Sequence, residues 1–177
     1  MRSKRRSGTN QSQSLLKPTF FTDRDLGKTA PRILRENGLA VERYCDHFQE
    51  KNVPDPEWLT YVARHGWVAF THDKNIRHDP VAVTTIMKES GRVFIVRGVL
   101  TGQGYARLIF GALDSVHAII AKYHGEAFIA TVRRESLARG VLNPAAHVRL
   151  TATKWAALKN GAAADDPDVD DEDDLPL

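Results

Sequence analysis

Thr19-Phe20-Phe21-Thr22-Asp23-Arg24-Asp25-Leu26-Gly27-Lys28 is the stretch on which the reading of this chain turns. Its first residues are apolar, aromatic or β-branched, the types that fit a pleated strand. Two carboxylates follow, at Asp23 and Asp25, then Gly27, Lys28 and the start of a helical pattern. A strand that ends on a carboxylate and turns at once into a helix is how open α/β sheets build their sites, beyond the carboxyl ends of the strands. One such stretch needs partners elsewhere in the chain.

The periodicity supplies them. A first strand over about 19–23 is followed by a helix over 27–37, in which Leu26, Ala30, Ile33 and Leu34 form one apolar stripe. Pro31 is tolerated near the first turn, and Asn37-Gly38 is a helix stop. Residues 39–44 read as a second strand. The opening is therefore β-α-β, with parallel neighbours. Residues 45–54 read as a loop. Asp55-Pro56-Glu57-Trp58 then predicts a helix start, with Asp55 as N-cap and Pro56 at the first helical position. Trp67-Val68-Ala69-Phe70-Thr71 is continuous enough to be a strand buried on both faces. His72-Asp73-Lys74-Asn75 follows directly. Downstream come a helix over 80–89 begun by Asp79-Pro80, a strand over 92–96 and a long helix over 104–123. Strands over 126–132 and 147–152 pair at the sheet edge. The fold class expected is α/β with a mainly parallel central sheet. The expected organisation is a disordered basic tail over 1–17, a domain over 18–159 and a disordered acidic tail over 160–177.

Charge is unevenly spread. The formal net charge is +3, from 25 Lys and Arg against 22 Asp and Glu. Eight of the acids fall in residues 165–177, which contain no base, so the rest of the chain is strongly basic. Residues 1–17 hold Arg2, Lys4, Arg5, Arg6 and Lys17 and no acid. A basic body points to a polyanionic partner. The acidic tail is a candidate to dock on a basic cleft and compete with that partner. Cys45 is the single cysteine, which excludes an intrachain disulfide framework or a Cys-based zinc site. Lys17 and Pro18 interrupt any apolar leader, and Arg107, Asp114, His117 and Lys122 make the longest apolar run too polar to span a bilayer. The expectation is a cytoplasmic protein with no membrane partner.

Asp23 and Asp25 after the first strand, Asp55 and Glu57 at the helix before the third, and Asp73 just past the third are carboxylates at comparable places on one sheet edge. Clustered carboxylates raise one another's pKa unless a cation neutralises them. Hard oxygen donors select Mg²⁺ or Mn²⁺. Asp46, in the loop, is a further candidate. Arg24, Lys28, Arg32, Lys74 and Arg77 flank these motifs as candidate phosphate-binding groups. Thr71 is a candidate to orient Asp73 through its hydroxyl.

Phe20-Phe21-Thr22-Asp23-Arg24-Asp25-Leu26-Gly27, Pro54-Asp55-Pro56-Glu57-Trp58 and Trp67-Val68-Ala69-Phe70-Thr71-His72-Asp73-Lys74 together resemble the PIN-like domain family, nearest the branch of VapC-type toxins of toxin–antitoxin systems. The resemblance covers about residues 18–155. It implies a three-layer α/β/α domain and a metal-dependent endoribonuclease that leaves 5′-phosphate and 3′-hydroxyl ends. It implies Asp23, Asp55 and Asp73 as catalytic ligands of Mg²⁺ or Mn²⁺, with Glu57 as the second acid of its motif and Asp25 auxiliary. One-metal and two-metal schemes stay open, since the family commonly offers four acids. Implied partners are RNA and a cognate antitoxin protein, and a homo-oligomer is compatible. Two alternatives stand beside it. Asp23-x-Asp25 also resembles the opening of haloacid-dehalogenase-type phosphatases, where Asp23 is the nucleophile and Asp25 the general acid. A non-catalytic nucleic-acid-binding module would need only the basic surface.

Overall fold

β1, Phe20–Thr22, is three residues long, and all three are buried. In the computed structural model Phe20 packs into one apolar cluster and Phe21 into another. Alternate residues of a strand point to opposite faces, so this short segment joins two cores. The structure describes residues 17–49, 52–98, 100–134 and 146–150, with Arg134 and residues 146–150 described by backbone alone. The expected tails lie, Lys17 apart, outside the described residues.

Among the described residues, six strands form one sheet. β2 (Val41–Arg43), β1, β3 (Val68–Thr71), β4 (Arg92–Val96) and β5 (Phe128–Arg134) are parallel in that spatial order, and β6 (Ala146–Leu150) adds antiparallel to β5. The first and third strands in sequence are thus neighbours, and the last two pair at the edge, as their sequences predict. α1 (Thr29–Glu36), α5 (Gly102–Gly111) and α6 (Leu113–Lys122) cover one face. There Ala30, Leu34, Ile109 and Val116 meet Phe20, Phe70, Phe94 and Phe128. α3 (Asp55–Arg64) and α4 (Pro80–Lys88) cover the other, where Trp58, Leu59, Val62 and Ile86 meet Phe21, Ala69, Val93 and Ile95. The result is a three-layer α/β/α arrangement. Each Phe of β1 taken out of water contributes roughly 1.5–3 kcal/mol.

Four details depart from the sequence pattern. Residues 24–26 make a 3-10 turn closed by Gly27, whose φ of 67° favours glycine, so α1 begins only at Thr29. Tyr44–His47, inside and beside the expected loop, form a short helix, α2. Pro54 rather than Asp55 occupies the N-cap of α3, and Asp55 is its first helical residue. Its carboxylate accepts from the Trp58 indole instead of from a backbone N–H. The long helix expected over 104–123 is two helices broken at Ala112, directly after Gly111. The weak helix former at 111 lets the axis change while the apolar periodicity runs on.

α1 and α5 approach closely. A Cβ at Gly102 would lie 2.5 Å from Thr29 Cβ and 3.3 Å from the Ala30 backbone nitrogen. Gly102→Ala therefore destabilises the fold by about 1–3 kcal/mol through overpacking, against the usual helix-propensity gain from that change. A lowered denaturant midpoint with unchanged slope is the expected reading.

Candidate active site

The parallel register of β1 with β3 brings the residues after Thr22 and Thr71 to one sheet edge. The Asp23 amide continues the ladder, donating to Phe70 O at 2.9 Å. The chain then leaves the sheet as the 3-10 turn, with Asp23 as its cap. The Asp23 carboxylate accepts from Arg24 N at 2.6 Å and from the Thr71 hydroxyl at 2.9 Å. The same hydroxyl lies 3.1 Å from Asp25 Oδ2, which also accepts from the His72 amide at 2.7 Å. The Asp73 amide donates back to Thr71 Oγ1 at 3.1 Å. Thr71 is fully buried. Its role differs from the expected one: the hydroxyl faces Asp23 and Asp25, while Asp73 reaches it only through its backbone.

Electrostatics follow from this packing. Asp23 is 7% exposed. Loss of solvation, then the charge of Asp25, pushes its pKa up to about 7 against the hydrogen bonds from Arg24 N and Thr71. Asp25 is a surface residue by area, yet its Oδ2 is turned inward onto Thr71 and His72. Desolvation at that inner end raises its pKa too, opposed chiefly by the His72 amide. Tyr105, from α5, is buried close enough that Asp25 adds to the desolvation raising its pKa. Its ring centroid is 5.3 Å from that of His72, whose Nδ1 is 2.8 Å from Val96 O. A carbonyl only accepts, so Nδ1 carries the proton. Tyr105 and His72 thus wall the site. In the sequence Tyr105 belongs only to an apolar helical run, and nothing in its spacing marks it.

The other candidate residues take separate partners. Asp73 Oδ1 accepts from Asn75 N at 2.8 Å, capping the 3-10 turn Lys74–Arg77. Asp55 Oδ1 accepts from Trp58 Nε1 at 2.9 Å. Glu57 is exposed on a cleft of about 330 Å³ formed with His47, Phe48, Gln49, Val53 and Pro54. Asp46 is drawn away into ion pairs with Arg35, at 3.1 Å, and Arg43. Arg24 bridges the site to the segment before α3, donating to Asn52 Oδ1 at 3.1 Å and lying 5.7 Å from the Tyr44 ring centroid. Lys28 and Arg32 line a groove along α1. Lys74 is exposed beyond Asp73, and Arg77 donates to His78.

Among the described residues, no group of three or more His, Cys, Asp or Glu side chains converges as a ready metal cage. The donor chemistry at Asp23 and Asp25 nevertheless suits a divalent cation. Two carboxylates share one hydroxyl, neither is ion-paired to a Lys or Arg among the described residues, and both pKa values are raised. Mg²⁺ commonly takes one or two carboxylates and completes its shell with water and substrate phosphate.

Comparison with known proteins adds to this geometry. Residues 18–98 match the family described as PIN like domain, a span running from β1 through β4. The chain is 32% identical over 126 residues to a Mycobacterium tuberculosis protein, VapC45, a ribonuclease by name. That alignment covers 68% of this chain and 89% of the relative. No solved structure matches. Among the described residues no helix is long and apolar enough to cross a membrane.

Proposed function

This chain belongs to the PIN-like, VapC-type family, and from that premise we propose that it is a divalent-metal-dependent endoribonuclease, the toxin of a toxin–antitoxin pair. The observation that carries the reading is the pair of carboxylates, Asp23 and Asp25, held on the one Thr71 hydroxyl at the parallel edge of the sheet, with no Lys or Arg ion-paired to either among the described residues. Asp23 and Asp25 would hold Mg²⁺ or Mn²⁺, with Asp73, Asp55 and Glu57 as the further acids of the motifs. When bound, such an ion lowers the pKa of a water and neutralises charge developing on a phosphodiester.

The chain's own groups do the rest. Thr71 and the His72 amide fix the carboxylate oxygens, so little reorganisation accompanies reaction. Tyr105 and His72 exclude water from one side of Asp25. Arg24, Lys28, Arg32, Lys74 and Arg77 bind the phosphates on either side of the cleaved bond. An RNA held there accounts for the basic body of the chain. The partner in the cell is a cognate antitoxin.

The test is cleavage of single-stranded RNA in Mg²⁺ or Mn²⁺, with and without EDTA. Expected is metal-dependent cleavage, abolished by EDTA and reduced at least about 10-fold in Asp73→Asn, as for loss of one electrostatic contact. Cleavage that persists in EDTA, or an unimpaired Asp73→Asn variant, would falsify the mechanism. Release of phosphate from a phosphomonoester, with RNA left intact, would favour the phosphatase alternative.

A further inference from the structure

The groove along α1 is lined by Lys28, Thr29, Arg32, Arg35, Glu36 and Arg43, and its volume is about 330 Å³. Four cations face one acid. Arg32 is paired with Glu36 at 2.6 Å on the exposed helix surface, and Arg35 and Arg43 both reach Asp46. Lys28 makes no ion pair among the described residues. The groove therefore keeps a positive excess after its internal pairs are formed. It already shows how it treats a carboxylate: Arg43 first, then Arg35, hold the Asp46 pKa down to about 2.

Its position matters as much as its charge. Arg43 pairs in register with Thr22, the residue before Asp23, and Lys28 follows the turn that carries Asp25. The groove thus opens at the carboxylate edge. A polyanion that fills it lies beside the edge that carries Asp23 and Asp25.

We propose that the acidic segment 165–177 of this same chain docks in the α1–β2 groove, its carboxylates taking the place of polynucleotide phosphates. Two observations choose this occupant. The first is charge complementarity: the segment carries eight acids and no base, opposite a cationic groove. The second is reach. Leu150 lies on the cross-strand row that runs through Ala130, Phe94, Phe70 and Thr22 to Arg43. Five inter-strand steps of about 4.8 Å put the groove about 24 Å from the end of β6. The intervening residues 151–164 span up to about 46 Å when extended. One chain can therefore cover its own groove. The docking is electrostatic, and at high salt it gives way. It rests on the ribonuclease reading only in what the segment displaces.

The experiment uses the full-length chain and carbodiimide, which joins a lysine Nζ to a carboxylate, followed by mass spectrometry. Expected at 50 mM NaCl is a link from Lys28 to a carboxylate of residues 165–174 within one chain, lost at 0.5 M NaCl. No link to Lys28, or links only between two chains, overturns the proposal. A second arm measures the affinity of a labelled single-stranded RNA in EDTA. A variant with the eight tail acids changed to Asn or Gln binds at least about 10-fold more tightly at low salt, consistent with shielding of several phosphate contacts. That gain disappears in a Lys28→Ala/Arg32→Ala background. A gain of equal size in that background means diffuse repulsion and overturns the assignment to the groove. If neither variant binds RNA while the Lys28 link forms, the ribonuclease reading fails and the docking stands.

Discussion

Asp23→Asn gives a metal-free protein that melts higher at pH 8 than the wild type and no longer cleaves RNA. Asp23 is buried, and its folded pKa of about 7 lies above the ordinary 3.8. Below about pH 4 it is protonated in both folded and unfolded states and no stability is lost. As pH rises from there, the unfolded chain releases the proton while the fold retains it. Stability falls through this window and stops falling above about pH 7, once the folded carboxylate has ionised. A shift of about three pH units corresponds to at most about 4 kcal/mol. For a chain of this size that is up to about 10 °C in melting temperature. Asparagine keeps an acceptor for Arg24 N and carries no charge, so its melting curve loses most of this pH dependence. Mn²⁺ raises the melting temperature of the wild type and leaves the variant unmoved. A variant with the wild-type pH profile would show that the Asp23 carboxylate is not the strained group. One that cleaves RNA would remove Asp23 from the site. The gain and the loss belong together, since a carboxylate kept where it is costly to ionise is the usual trade between stability and activity.

Thr71→Val has the second large effect. The side chain keeps its shape and loses one oxygen. That oxygen meets Asp23 at 2.9 Å, Asp25 at 3.1 Å and the Asp73 amide at 3.1 Å. All three lose a partner at once, which costs about 1–3 kcal/mol in stability. The larger consequence is geometric. Released carboxylates shift by fractions of an ångström, and misplacement on that scale costs about 10²-fold in rate. The loss falls on kcat more than KM, because Thr71 is a positioning residue that touches no substrate. Thr71→Ser restores the oxygen and with it most of the rate. Equal losses in the Val and Ser variants would assign Thr71 to packing alone.

The elements that could be read from the sequence are those whose pattern is local. The β-α-β opening is written in Phe20-Phe21, the Ala30–Leu34 stripe and the Asn37-Gly38 stop. Asp79 caps α4 through Val81 N, as Asp-Pro at that point predicts. The Asp55-Pro56 signature misleads by one residue because Pro54 precedes it and takes the cap position. α2 is four residues of mixed polarity, too short to carry a period. The break at Ala112 hides because apolar spacing continues across it.

The candidate site divides the same way. Asp23 and Asp73 stand out by following apolar strands. Asp25 looks auxiliary in the sequence, yet the structure sets it beside Asp23. What joins them is Thr71, 46 residues after Asp25 and 48 after Asp23. No local pattern encodes a shared hydroxyl across two strands. Tyr105 is invisible for a related reason: a buried aromatic on a helix reads as core until its neighbours are known.

β1 has no free face. With Phe20 facing one helical layer and Phe21 the other, a change at either is felt by side chains belonging to both halves of the molecule. Sequence drift that retunes chemistry at this edge has little room before Asp23. It has room after it, at the exposed Arg24 and Lys28. Members of the lineage should therefore diverge in how they address substrates at positions 24 and 28, while the three positions ahead of the first carboxylate vary little in volume.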